Sequence, residues 1–162
     1  MKALLQRVSR ASVRVEGAEV GAIGPGLLVL LGVASGDTDA AAERLAERVA
    51  HYRVFEDDAG KMNRSLLETG GKALVVSQFT LCAETSRGRR PGFDPAAPPA
   101  MAEPLCERFC EALERRGVTV GRGRFGASME VELVNRGPVT FLLEQPPARA
   151  GAGAGDGCAP TS

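Results

Sequence analysis

Two short strings carry side chains able to do chemistry: Ser77-Gln78-Phe79-Thr80-Leu81 and Asn135-Arg136-Gly137-Pro138-Val139-Thr140. The first follows an apolar run, Ala73 to Val76, so three polar side chains stand at the end of an expected strand over 72–79. A strand end is a rigid place from which to present hydroxyls and an amide. The second string interrupts an alternating pattern that otherwise runs from Met129 to Leu143. Proline cannot donate to a strand ladder, and glycine reaches backbone angles closed to other residues. Gly137-Pro138 is therefore a break at an edge, a bulge or a turn. An X-Pro bond can also be cis, at ~0.5–1 kcal/mol, which would hold two carbonyls side by side as a rigid acceptor pair. From spacing alone an ordinary hairpin turn is the commoner outcome, since only ~5–6% of such bonds in folded proteins are cis. The two strings are expected to form one pocket.

Several chemistries are excluded. His51 is the only histidine, and it falls on an expected helix surface, which removes a Ser-His-acid triad unless His51 itself is the base. Cys82, Cys106, Cys110 and Cys158 contain no Cys-x-x-Cys pair. Cys106 and Cys110 share a helix face but lack a second ligand pair, so they read as free core thiols and no metal is expected. The acidic run Glu56-Asp57-Asp58 lacks the ligand order of a calcium loop and reads as a solvated turn.

The elements that position these residues follow from the pattern. At 162 residues the chain suits one domain with a real core. Twenty basic and twenty acidic residues balance, which argues against a global polycation but not against a local basic patch. There is no apolar run of the ~20 residues a membrane helix needs, and no signal-peptide pattern, so a cytoplasmic protein is expected. Residues 3–8 and 12–16 read as two strands and residues 19–23 as a third. Leu27 to Val33 reads as a buried central strand. Asp37 or Thr38 caps a helix to about Arg53, and Asn63 to Leu67 reads as a helical turn. Met101, Leu105, Phe109 and Leu113 stripe a second helix, with Pro104 in its first turn and Gly117 ending it. Val118 to Val120 is a short strand. Residues 83–100 form a long loop whose Arg87, Arg89 and Arg90 suit phosphate contact. The fold class is α/β (α+β): a largely antiparallel, barrel-like sheet with two long helices over residues 1–145. Residues 146–162, rich in Pro, Ala and Gly, read as a disordered tail.

The two opening strings resemble the signature pair of the D-aminoacyl-tRNA deacylase family. Leu5-Gln6-Arg7-Val8, Gly26 to Val33, Gly60-Lys61-Met62-Asn63 and Gly123-Arg124-Phe125-Gly126-Ala127-x-Met129 are similar to that family as well. The similarity spans roughly residues 1–144. Cys82 and Gly92 depart from it at the expected pocket rim, where a small non-thiol and a polar residue would be in keeping.

The resemblance implies a homodimeric hydrolase, without a cofactor, that cleaves D-aminoacyl-tRNA and also glycyl-tRNA, in translation quality control. It implies a cis Gly137-Pro138 bond that enters the pocket of the opposite subunit and rejects L-amino acids. Arg7, with Gln6, would brace that dipeptide. Ser77, Gln78, Phe79 and Thr80 would form the catalytic string, with Met129 and Asn135 in the pocket. With no base at hand, Thr80 is a poor covalent nucleophile. Backbone N–H groups around Phe79 and Thr80 would instead hold the oxyanion, and the ribose 2′-hydroxyl would activate water. The rivals are a proofreading domain of threonyl-tRNA synthetase type, a related deacylase with a trans Gly-Pro bond, and a non-catalytic RNA-binding module.

Overall fold

Lys2–Val15 form β1, and the rest of the sheet is registered on it. In the computed structural model, which describes residues 1–147, one edge of β1 pairs first with β3 (Gly26–Gly32) and then with β2 (Ala18–Ile23). Its whole other edge pairs with β8 (Glu130–Glu144). The sequence pattern divides β1 into two strands; the structure has one strand with a bulge. Pairing with β8 slips between Val8 and Arg10, and the extra residue changes the parity of the alternation. Ala3 and Leu5 therefore lie in one apolar layer, while Val8, Ala11 and Val13 share the other.

β3 lies between β1 and β6 (Lys72–Ser77), and β6 is followed by β7 (Val120–Arg122). The pairings of β1 are antiparallel, as expected, but β3–β6 and β6–β7 are parallel. The reason is connectivity, because parallel neighbours need a crossover. α1 (Asp39–His51) lies in the first crossover and α3 (Pro99–Arg115) in the second. Leu27, Val29, Leu31, Ala73 and Val75 of the sheet pack with Leu45, Val49, Phe109 and Leu113 of these helices in one core. Leu28, Leu74 and Val76 point the other way, into a second core with Val13 and Ile23. β3 and β6 are buried on both faces, which is why their sequences are nearly continuous apolar runs. The parallel pair begins with no room to spare. At Gly26, φ is +159°, and a Cβ would lie 1.8 Å from the Lys72 carbonyl oxygen.

Smaller differences from expectation have local causes. The expected helical turn at Asn63 is a strand, β5 (Met62–Arg64), paired with β4 (Phe55–Glu56). The helical turn comes later, as α2 (Leu66–Thr69), because Ser65 and Glu68 form a reciprocal capping box. Thr38 caps α1, while Asp37 is buried and accepts from the Met1 ammonium and the Ala34 N–H, both at 2.7 Å. α3 starts at Pro99, so Pro104 falls one turn inside it. Residues four apart drift by about 40° per step around a helix. The stripe through Leu105, Phe109 and Leu113 accordingly buries Ala102 and leaves Met101 exposed. The strand expected at 118–120 is β7, at Val120–Arg122. Gln145 still belongs to the fold, since its N–H donates to the Met1 carbonyl at 2.8 Å. Most of the expected tail, residues 148–162, lies outside the described residues. Among the described residues no helix is long and apolar enough to cross a membrane.

Candidate active site

β6 ends at Ser77, earlier than the strand expected to Phe79. The Gln78 N–H still reaches the Leu31 carbonyl at 2.8 Å, and the chain then winds into one 3-10 turn over Phe79–Cys82. The first N–H groups of any helical turn have no partner within it. The Leu81 N–H is the first to bond back, to the Gln78 carbonyl at 3.2 Å. The Phe79 and Thr80 N–H groups have no protein acceptor among the described residues. The turn thus presents two consecutive free donors beside the Gln78 amide, whose Nε2 donates to Thr80 Oγ1.

Two hollows flank this strand end. One, of about 300 Å³, is lined chiefly by apolar groups, among them Leu31, Phe79, Ala102, Cys106 and Phe125, with Ser77 at its edge. The other, of about 240 Å³, is bounded by Ser77, Gln78, Phe79, Gly126 and Met129. Met129 therefore stands beside the Ser77 string. The Phe79 ring between them is 56% exposed and meets Phe93 edge-on, with centroids 5.0 Å apart. Burial pushes the Cys106 and Cys110 thiols up to about 12, so both stay protonated and inert. No cluster able to hold a metal occurs among the described residues. Cys82 is buried behind the turn, against Gly32, so this departure from the family pattern lies in the core and not on the rim. Gly92 forms a backbone bridge with Glu84, using no side chain. His51 is exposed at the end of α1, with Nδ1 3.0 Å from the Glu47 carbonyl oxygen, and takes no part in the site.

The second string is neither a hairpin nor a break. β8 runs through it in one direction and pairs with β1 on both sides. Gln6 faces Thr140 and Val8 faces Asn135, so two steps along β1 match five along β8. The extra residues bulge out around a cis Gly137-Pro138 bond, with both residues exposed. Arg7 fills the space behind the bulge and is only 7% exposed. Its Nε donates to the Arg136 carbonyl at 2.8 Å and its Nη1 to the Val54 carbonyl at 2.8 Å, while Nη2 lies 3.4 Å from Glu56. Asn135, expected as a pocket residue, clamps the bulge. Its Oδ1 accepts from the Val139 N–H at 2.7 Å, and its Nδ2 donates to the Val139 carbonyl and to Thr140 Oγ1, each at 3.1 Å. Gln6 adds a long 3.4 Å contact to Thr140 Oγ1. Nothing in the spacing of residues 135–140 signalled the clamp. An amide facing its own chain four residues on is the only sequence trace it leaves.

One chain does not bring the two strings together. Ser77 is in register with Leu31, Leu31 with Ala3, and Ala3 with Leu143. The bulge is opposite Arg7, four positions further along β1. Standard strand spacing puts it roughly 14 Å across and roughly 13 Å along from Ser77.

A family model described as D-Tyr-tRNA(Tyr) deacylase matches residues 4–144 of the chain. The chain belongs to this family. Membership makes it a hydrolase, a deacylase of D-aminoacyl-tRNA. A D-aminoacyl-tRNA deacylase of Roseiflexus castenholzii is 62% identical over 144 residues, covering 89% of this chain and 92% of that one. One of Xanthomonas axonopodis pv. citri is 63% identical over 146 residues, covering 88% and 99%. A solved structure titled c-Myc DNA Unwinding Element Binding Protein superposes with a TM-score of 0.85 at 42% identity, covering 90% of this chain and 99% of that one. A probable eukaryotic D-amino acid tRNA deacylase superposes at 0.78 and 20% identity, covering 88% and 97%, and shows a shared fold. The mixed, curled sheet with two long helices is thus the deacylase architecture.

Proposed function

We propose that this deacylase works as a cytoplasmic homodimer that hydrolyses D-aminoacyl-tRNA and glycyl-tRNA. In this reading the Gly137-Pro138 bulge of each subunit enters the Ser77 site of the other. The observation that carries it is the separation of two prepared halves: free donors at the Ser77 turn, and a clamped, outward bulge too far away in the same chain to meet them. The surroundings of the bulge favour a partner as well. Among the described residues β8 has no strand on its outer edge, and Val134 and Leu142 on it are exposed apolar side chains, 39% and 49% respectively.

The chemistry asks little of the side chains. Water adds to the ester carbonyl, and the charge that develops on its oxygen meets the Phe79 and Thr80 N–H groups. The bond to the ribose oxygen then breaks, and that oxygen takes up a proton. The adjacent ribose hydroxyl orients the water. Ser77, Gln78 and Thr80 hold the terminal adenosine and the ester, and Met129 closes one wall. Selection is by exclusion: an L side chain would occupy the place of the Gly137 and Pro138 backbone, while a D side chain or a hydrogen points elsewhere. A filter made of main chain ignores side-chain identity, so one pocket serves many amino acids. Arg7, Asn135 and Gln6 keep it rigid.

The direct test is hydrolysis of matched D- and L-tyrosyl-tRNA, with glycyl-tRNA alongside. Rapid loss of the D and glycyl esters with the L ester intact is expected. Equal loss of D and L esters would remove the filter from the reading. Binding of tRNA without turnover of any ester would replace the deacylase by an RNA-binding module.

A further inference from the structure

The long loop after the Ser77 turn is more ordered at its feet than its length suggests. Its outgoing limb is tied by the Ala83 N–H to the Thr80 carbonyl at 3.2 Å. Glu84 and Gly92 then bridge it, with N–H to carbonyl distances of 2.7 and 2.9 Å. Its return limb is pinned to the end of β3, where the Ala97 N–H meets the Val33 carbonyl and the Ser35 N–H meets the Pro95 carbonyl. What projects between these feet is a short hairpin tip that turns at Gly88, with φ +69°. Arg87, Arg89 and Arg90 all lie on this tip. They are exposed and have no ion-pair or hydrogen-bond partner among the described residues. By contrast, Arg7, Arg108, Arg115 and Arg122 are all paired with acidic groups. On a chain whose net charge is zero, three unpaired guanidinium groups within four positions are a concentrated local charge.

The tip is joined directly to aromatic surface. Phe93, immediately after the bridge, is 40% exposed and stands edge-on to Phe79 at the mouth of the apolar hollow. Exposed rings beside unpaired arginines are what single-stranded nucleic acid requires: faces for bases to stack on and cations for phosphates. A protein partner of acidic character would satisfy the arginines but would leave the Phe79–Phe93 pair without a purpose.

We infer that the Arg87–Arg90 tip and Phe93 form the track for the single-stranded RNA segment just 5′ of the terminal aminoacylated adenosine. The arginines contact its phosphates and Phe93 stacks on a base. The inference rests on the deacylase reading of the Ser77 site and adds to it a second contact zone outside the pocket. The tip positions substrate and takes no part in bond breaking, so its effect depends on how much RNA the substrate carries.

The test compares two substrates of the same ester: D-tyrosyl-tRNA, and D-tyrosyl-adenosine, which ends where the pocket ends. The triple variant Arg87→Ala/Arg89→Ala/Arg90→Ala is expected to lose about tenfold or more in kcat/KM on the tRNA, through KM, and to keep its rate on the adenosine ester. Each phosphate contact in a single-stranded segment contributes a salt slope of about 0.7, so the variant should flatten the dependence of log kcat/KM on log salt by about 2. Phe93→Leu should lower kcat/KM on tRNA alone, with no change of salt slope. Equal losses on both substrates would mean that the tip only supports the turn, and no loss on tRNA would mean that RNA does not pass there; either result overturns the inference. If the parent protein cleaves neither ester, the deacylase reading fails by itself. Anisotropy of labelled uncharged tRNA, parent against triple variant across the same salt range, then decides the track separately.

Discussion

The Ser77 turn offers bare backbone amides at the end of a strand buried on both faces; the Gly137-Pro138 bulge offers backbone tied down by side chains on an exposed edge strand. The turn gets its rigidity from the core behind it. Ala73 to Val76 are all buried, and the Gln78 N–H remains on the ladder to Leu31. The bulge has no such backing on its outer side, and its rigidity depends on Arg7 and Asn135. The lesson is that a site can be fixed either by where the strand ends or by what ties it back. Only the second kind is vulnerable to single side-chain changes.

The largest expected effect follows from changing the bulge itself. At Gly137 φ is +154°, and a Cβ would lie 2.6 Å from Val139 Cγ2 and 2.8 Å from the Val139 nitrogen. Gly137→Ala should shift the bulge and lower the ratio of D- to L-ester hydrolysis by about 100-fold, as expected for a displacement of about 1 Å in a positioning group. An unchanged ratio would show that the bulge is not the selective element. Arg7→Ala comes next. It strips the donors from the Arg136 and Val54 carbonyls, and leaving the buried Val54 acceptor unpaired costs about 1–3 kcal/mol, the part-buried Arg136 carbonyl less. Denaturant unfolding should show this loss together with increased leakage of the L ester. Arg7→Lys should recover little, since one ammonium cannot span two carbonyls as a planar fork does. Thr80→Ala should do least, because the turn works through amides that the substitution keeps. Retention of activity within about tenfold fits that role, whereas a loss approaching the ~10⁶-fold that removal of a triad nucleophile costs would make Thr80 a nucleophile after all. The pH profile sharpens the same point. Ser77, Gln78 and Thr80 carry no charge to lose near neutrality, and burial holds the nearby Cys106 thiol at about 12. A kcat/KM profile between pH 6 and 8 should thus lack a break that Cys106→Ala removes.

Much of this was legible from residue order, and the larger failures were of one kind. Runs buried on both faces, such as Leu27 to Leu31, stood out because nothing polar interrupts them. Both chemical strings stood out because polar residues, glycine and proline interrupt a strand. What could not be read was parity. The bulge in β1 divided one strand into two apparent strands, and the bulge in β8 made one strand look like a hairpin. Alternation records which face a residue takes, and one extra residue erases that record without any change of residue type. The direction of β6 was hidden for a related reason: parallel pairing is decided by the helical crossovers and leaves no mark in the strand. The hydrogen bonds of Asn135 were not legible because its partners belong to the bulge that the pattern hid.

Arg7 is the fifth residue after Lys2, where β1 begins, and its side chain reaches the Arg136 carbonyl only because of that count. Deleting one codon between Lys2 and Arg7 would turn either the guanidinium or residues 2–6 to the opposite face of the sheet, even if every other residue were kept. Changes of length and changes of letter are therefore unequal for this gene. A conservative exchange at Leu4 or Leu5 alters packing by a methyl group or two, whereas a one-residue gap in the same place severs the link between the start of the chain and its bulge. The turn at Gly17 has open space around it, and it is there that the chain can gain or lose residues.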